Sequence, residues 1–297
     1  MKVLELNNIH KSYGATKALN GVSFSVPKGS IFGILGPNGS GKTTLLSIIL
    51  DVLKANDGSY TWLSETPSAM QRQSIGTLLE TPNFYHYLSA SRNLEITRQI
   101  SGRGSAGDID IALKKVKLYD RRGSKFSTYS LGMKQRLAIG AALLGLPSIL
   151  VLDEPTNGLD PVGIVEIREL ILELNANGHT IIIASHLLDE VEKICTHVAI
   201  MKFGNLLTCG PVDEVMANDD CVEVGADNSE ALLIVMGKYP GVLNISTEKD
   251  LVVVGLQKGT ADLEEINRFC FNSGIVLNHL YMRKQKLETR FFELTQN

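Results

Sequence analysis

The eight residues Gly36-Pro37-Asn38-Gly39-Ser40-Gly41-Lys42-Thr43 constrain this chain more than any other feature in it. They match G-x-x-x-x-G-K-[ST] at every fixed position, which chance supplies in roughly one chain in a hundred of this length. Glycines let the backbone curl until successive N–H groups converge on a phosphate, and a following helix adds its N-terminal dipole. Lys42 is long enough to reach β- and γ-phosphates, and the Thr43 hydroxyl suits Mg²⁺. Gly36, Asn38, Gly39, Ser40, Gly41, Lys42, Thr43 and Thr44 are therefore the expected nucleotide cradle. The flanks agree, with the apolar run Ile31-Phe32-Gly33-Ile34-Leu35 before the loop and an apolar helix, Leu45–Leu50, after it. The pattern points to nucleoside triphosphate binding.

Two further apolar runs, Ile149–Leu152 and Thr180–Ala184, are continuous rather than alternating. Continuous runs indicate strands covered on both faces, as in a parallel sheet between helices, and such sheets bind ligands at their carboxyl ends. There the sequence places Asp153-Glu154, followed by Pro155, which cannot extend a ladder, and Ser185-His186. Adjacent strand residues face opposite ways, so the two carboxylates should project differently. Asp153 suits the Mg²⁺ shell, and Glu154 can act as base on a water aligned with the γ-phosphate. His186, at the same edge, is expected near that phosphate and water. His10, His86, His179, His197 and His279 have no such placement.

At 297 residues the chain should hold about two domains, and 44% hydrophobic with 21% charged residues excludes a disordered chain. A net charge of −3 gives no reason to expect a nucleic-acid partner. No apolar run approaches the roughly 18–20 residues of a membrane span, and the N-terminus lacks a signal-peptide stretch, so a cytoplasmic location is expected. Cys195, Cys209, Cys221 and Cys270 are too scattered for a disulfide framework and read as buried thiols. From about Tyr85 to Thr128 the pattern is helical, broken by the glycine-rich stretch 101–107, which suggests a helical subdomain inserted at about 85–145. Residues 1–217 read as one domain. Beyond Asn218, strands at Val222–Val224, Val242–Ile245, Leu251–Val254 and Ile275–Leu280 alternate with helices at Ser229–Met236 and Asp262–Cys270. That order is a split βαββαβ domain over 218–297, with a trailing helix at Leu287–Leu294.

Tyr129-Ser130-Leu131-Gly132-Met133-Lys134-Gln135-Arg136, opening a helix placed at Lys134–Leu146, resembles the L-S-G-G-Q signature of ATP-binding cassette (ABC) ATPases. Ser130 and Gly132 match it; Tyr129, Leu131 and Met133 depart from it. The resemblance runs from about Val3 to Met216. It implies an α/β P-loop core with a parallel sheet and an inserted helical subdomain, beside a small C-terminal α+β domain. It further implies a head-to-tail dimer, of two copies or with a related chain, in which each signature completes the other subunit's ATP site. In the family, counterparts of Tyr13 stack on adenine, and Asn157-Gly158-Leu159-Asp160 is similar to the loop that crosses the dimer interface.

Most cassettes carry a glutamine where this chain has Glu80, within Leu78-Leu79-Glu80-Thr81-Pro82-Asn83-Phe84-Tyr85. A carboxylate there would touch Mg²⁺ and add negative charge beside the triphosphate. The segment resembles the bacitracin and lantibiotic resistance branch. That resemblance implies an ATP- and Mg²⁺-dependent exporter subunit, peripheral on the cytoplasmic face, driving a separate membrane permease. Phe84, Tyr85, Tyr87 and Leu88 would then form the groove that receives a permease helix. The ending Lys286–Thr295 is similar to the tail of many single-cassette exporter subunits, and Arg283, Lys284 and Lys286 read as a solvated face. The alternative within the superfamily is a soluble mechanical ATPase acting on DNA, ribosomes or cofactor assembly. The chain lacks the long coiled coils and second cassette of those relatives.

Overall fold

A computed structural model describes residues 1–79, 83–216, 219–283, 287 and 291. The chain divides into two compact units, Met1–Val212 and Asp213–Asn297. Residues 217 and 218, where the sequence places its boundary, lie outside the described residues. So do Glu80 and most of the trailing helix at Leu287–Leu294.

The first unit opens with a long hairpin, β1 (Lys2–Tyr13) and β2 (Thr16–Pro27), then β3 (Ile31–Leu35), α1 (Lys42–Ile49) and β4 (Asp57–Trp62). After α2 (Ala69–Gln73) and β5 (Ile75–Leu78) come three helices, α3 (Ala90–Ser101), α4 (Ala106–Lys115) and α5 (Leu131–Ala142). The core resumes with β6 (Ile149–Asp153), α6 (Pro161–Ala176), β7 (Thr180–Ser185), α7 (Leu188–Ile194), β8 (His197–Lys202) and β9 (Asn205–Pro211). A six-stranded sheet has the order β5-β6-β7-β3-β8-β9, parallel except for the antiparallel edge β9.

Every residue of β3, β6 and β7 is buried, as strands covered on both faces require. A separate antiparallel sheet, β2-β1-β4, is absent from the sequence reading. Its strands alternate buried and exposed positions only intermittently, because register shifts interrupt β1 at four places. One core joins the two sheets through α1, whose Leu45, Leu46, Ile48 and Ile49 are buried. A helix of eight residues is too short to stand alone. Burial of each large side chain contributes about 1.5–3 kcal/mol, and that fixes it. Trp62 closes its end by donating from Nε1 to Ile49 O at 2.8 Å.

The helical insertion lies between β5 and β6. Ser89 caps α3, and Gly102, at φ 64°, ends it in the left-handed region. The glycine-rich stretch is thus a tight α3–α4 turn, pinned by Arg103 donating to Ile75 O at 2.7 Å. Helix α5 starts three residues before the expected Lys134, because Ser130 Oγ accepts from Met133 N at 3.3 Å and caps it. It ends before the expected Leu146, since Gly145 and Leu146 both take positive φ.

The second unit begins with α8 (Val212–Met216), whose first residue closes the first unit. It continues β10 (Asp219–Ala226), α9 (Ser229–Met236), β11 (Val242–Glu248), β12 (Leu251–Gln257), α10 (Leu263–Asn272) and β13 (Leu277–Arg283). The sheet is antiparallel in the order β11-β12-β10-β13, a split βαββαβ arrangement. Its last strand lies slightly later than expected; of the cations expected on a solvated face, Arg283 is half-exposed and pairs with Glu248 at 2.9 Å, and Lys284 and Lys286 lie outside the described residues. The thiols also differ from expectation: Cys195 and Cys270 are buried, but Cys209 is exposed and Cys221 half-buried. Cys209 lies on the edge strand β9, where one face has no cover.

Candidate nucleotide site

Parallel register decides what meets what. Leu35 lies opposite Ser185, and Asp153 opposite Ala184, so the residues after β3, β6 and β7 emerge together at one sheet edge. Those residues are the loop from Gly36, then Glu154, then His186.

The loop tolerates no side chain where it approaches its neighbours. A Cβ on Gly36 would lie 2.4 Å from Met201 O and from Ser40 Oγ. Gly41 combines φ 101° with a Cβ position 2.5 Å from Ala18 O, so the turn end of the β1–β2 hairpin abuts the loop. Gly204 N donates to Ser40 O at 3.0 Å and props the loop from the β8–β9 turn. Sequence reasoning missed Gly204; a Phe-Gly turn marks a bend but not what the bend touches.

Helix α1 has no side-chain cap and no acid in its first turn. The N–H groups of Lys42, Thr43 and Thr44 therefore face the loop's concavity without intrahelical partners, a ready anion cradle. Ser40 Oγ is buried with no hydrogen-bond partner among the described residues. Lys42, 6% exposed, donates to Gly36 O at 2.8 Å and Pro37 O at 3.3 Å. Burial pushes its ammonium below the ordinary lysine range, and the Glu154 and Asp153 charges partly offset this.

The two acids do project differently. Thr43 Oγ1 donates to Asp153 Oδ2 at 3.0 Å, whereas Glu154 Oε1 lies 3.8 Å from Lys42 Nζ and Oε2 2.9 Å from His186 Nδ1. A carboxylate only accepts, so Nδ1 carries the proton in this pair and a neutral ring keeps Nε2 as an acceptor. Glu154 adopts φ 47°, a left-handed conformation that a non-glycine residue holds at a cost of about 1–3 kcal/mol. Its N–H donates to Ala184 O at 2.9 Å, which fixes this turn against β7. The oxygen pair of Thr43 and Asp153 suits Mg²⁺, which takes one or two protein oxygens and completes its shell with phosphate and water. Among the described residues no group of three or more His, Cys, Asp or Glu could hold a metal ion.

The remaining candidates form a second group. Ser130 is exposed at the start of α5, and a Cβ on Gly132 would lie 3.9 Å from Gly163 Cα. Leu131 packs 3.5 Å from the Cβ position of Gly158, while Asp160 caps α6 by accepting from Gly163 N at 2.8 Å. Among the described residues no hydrogen bond joins Ser130, Gly132 or Asp160 to Lys42, Thr43, Asp153, Glu154 or His186. Tyr13 is 50% exposed at the tip of the hairpin, with Lys11 Nζ 5.5 Å from its ring centroid. Glu80 lies outside the described residues.

The aromatic segment divides. Phe84 packs edge-on against Phe126 at 5.2 Å, whereas Tyr85 and Tyr87 are exposed and touch each other at 6.0 Å. Asn93, 1% exposed, holds the segment: it donates to Tyr85 O, Leu88 O and Ser89 O and accepts from Tyr85 N. An asparagine inside a helix is the one sequence signal that could have marked it.

The ABC transporter family profile matches residues 19–157. The bacitracin transport ATP-binding protein BcrA of Enterococcus faecalis is 34% identical over 98% of this chain and 96% of its own length. This chain belongs to the ABC transporter ATPases. The lantibiotic transport ATP-binding protein SrtF of Streptococcus pyogenes is 37% identical, over 69% of this ABC ATPase and 89% of its own length. Among solved structures, the post-hydrolysis dimer of the cassette MJ0796 bound to ADP and Pi aligns with a TM-score of 0.62 and 26% identity. It covers 70% of this chain and 98% of that one. As an ABC ATPase the protein binds and hydrolyses ATP as a subunit of a transporter. No helix among the described residues is long and apolar enough to cross a membrane.

Proposed function

We propose that this ABC ATPase powers export of a peptide antibiotic of the bacitracin or lantibiotic type through a separate membrane permease. The observation that carries the reading is coverage. The likeness to BcrA runs through the second unit as well as the first, whereas the likeness to SrtF covers 69% of the chain. Residues 1–217 would be the motor and 218–297 an accessory domain, on the cytoplasmic face of the membrane and with no nucleic-acid partner.

The loop amides and Lys42 bind the triphosphate, and Tyr13 stacks on the base. Glu154 takes a proton from the attacking water while His186 holds its other oxygen. Thr43 and Asp153, with Glu80, would hold Mg²⁺, which would supply charge neutralisation to the bound triphosphate. Ser130 and Gly132 complete the site of a second subunit, identical or related, and Asp160 lies at that junction. Closure of the pair on two ATP molecules would drive the permease, with Tyr85 and Tyr87 at the groove for its helix.

Co-expression with its permease in a susceptible bacterium should raise the bacitracin or lantibiotic concentration needed to stop growth. A Glu154→Gln variant should abolish the gain. Equal susceptibility with and without the pair would refute peptide-antibiotic export.

A further inference from the structure

Charge is distributed unevenly along this chain. Residues 114–136 hold eight Lys and Arg against one carboxylate, Asp120, while the other 274 residues hold 21 Lys and Arg against 31 Asp and Glu. The fold carries those cations from the end of α4 to the start of α5, and contacts with aromatic rings group four of them. Lys114 Nζ and Arg122 Cζ lie 4.9 and 4.1 Å from the centroid of one ring, Tyr119. Arg121 lies 6.0 Å from the Tyr129 ring and Lys134 5.4 Å from the Phe126 ring, and those two rings are 6.2 Å apart. Arg136 donates to Lys117 O at 3.5 Å, which closes the patch.

Among the described residues, only Arg136 of these eight has a carboxylate within ion-pair distance, Glu166 at 3.5 Å. Lys114, Lys117, Arg121, Arg122 and Lys125 are exposed. The dipole of α4 accounts for Lys114 and Lys115 in its last turn. It does not account for Arg121, Arg122 and Lys125, which follow on the turns. Like charges on one ring sit within a Debye length and repel, so the arrangement is stabilised when an anionic surface meets it.

We propose that this cation–aromatic surface docks on the anionic phospholipid headgroups of the membrane beside the permease. Arg121, Arg122 and Lys125 stand on exposed turns beside the exposed Lys114 and Lys117, where each can meet its own phosphate. A peptide partner would favour the cavity of about 310 Å³ bounded by Phe84, Tyr85, Asn93, Ile96, Thr97 and Ile100, and none of these cations lines it. The inference takes its setting from the membrane-peripheral location proposed above.

The purified full chain should sediment with vesicles of phosphatidylglycerol and phosphatidylcholine, not with phosphatidylcholine alone, and less so as salt is raised. Each basic residue at such a surface contributes about a factor of five, so the triple variant Lys114→Gln, Arg122→Gln, Lys125→Gln should bind on the order of 100-fold more weakly. ATP turnover of the variant, measured in the same samples, should match the unaltered chain and reports that it is folded. Equal binding to both vesicle types, or a variant that binds like the unaltered chain, overturns the proposal. So does a chain that ignores both vesicles while the variant loses its permease in pull-down, which would assign the surface to a protein partner. Loss of antibiotic resistance with vesicle binding intact would strike the transport reading alone.

Discussion

The geometry at Glu154 makes a quantitative claim about catalysis that a double-mutant cycle can test. Removing the general base by Glu154→Gln should lower single-turnover ATP hydrolysis by about 10²–10⁴-fold, or roughly 3–5 kcal/mol in barrier height. ATP affinity should change little, because Lys42 keeps its bonds to Gly36 O and Pro37 O. His186 touches the carboxylate at 2.9 Å, a hydrogen bond to a charged group worth about 1.5–3 kcal/mol. His186→Ala should therefore slow hydrolysis about 10–100-fold. If His186 works by holding Glu154, the double variant should be no slower than Glu154→Gln alone, and the coupling energy should equal the whole effect of the histidine. The assay is phosphate release from pre-bound ATP in all four proteins. Additive losses would refute a role through Glu154 and would require His186 to contact the phosphate or water independently.

Other consequences are equally direct. Gly36→Ala places a methyl against the immovable Met201 carbonyl, so it should cost about 1–3 kcal/mol of stability and weaken ATP binding; unchanged melting and affinity would contradict the packing. Asn93→Ala strands the backbone groups it serves around Tyr85 and Leu88 and should destabilise the first unit by about 3 kcal/mol. Chemical denaturation followed by the single tryptophan, Trp62, would measure that loss. Arg98 and then Gln99 donate to Glu95 and hold its carboxyl at about 2. A depressed carboxylate stabilises the fold above its unfolded pKa, and the gain disappears as pH falls toward 2. Glu95→Gln should thus be the less stable protein at neutral pH, with the two denaturation curves converging in acid; a constant offset at every pH would contradict this.

Local chemistry explains what could be read in advance. The phosphate loop, the acid pair and His186 were legible because each abuts a strand whose continuous apolar run leaves it no choice but the buried centre of a parallel sheet. In the second unit the succession of strands and helices was legible from its short apolar runs and helical periods, although its strands pair antiparallel and are not covered on both faces. The hairpin sheet was not, because β1 and β2 carry polar residues at irregular intervals and are held by pairing register rather than by pattern. Helix α5 was misplaced because its cap, Ser130, looks in sequence like a residue of the signature rather than a boundary.

The amino-acid order alone determined that the candidate loop, Glu154 and His186 each follow one of three buried strands. The tertiary structure decided their pairing. Asp153 and Glu154 are neighbours in the chain, yet one meets Thr43 and the other Lys42 and His186, because the backbone turns through positive φ at Glu154. The same holds for Gly204 under the loop, Asn93 behind Tyr85, and the cations around Tyr119. Those contacts depend on strand register and helix packing across stretches of sequence that carry no local trace of one another.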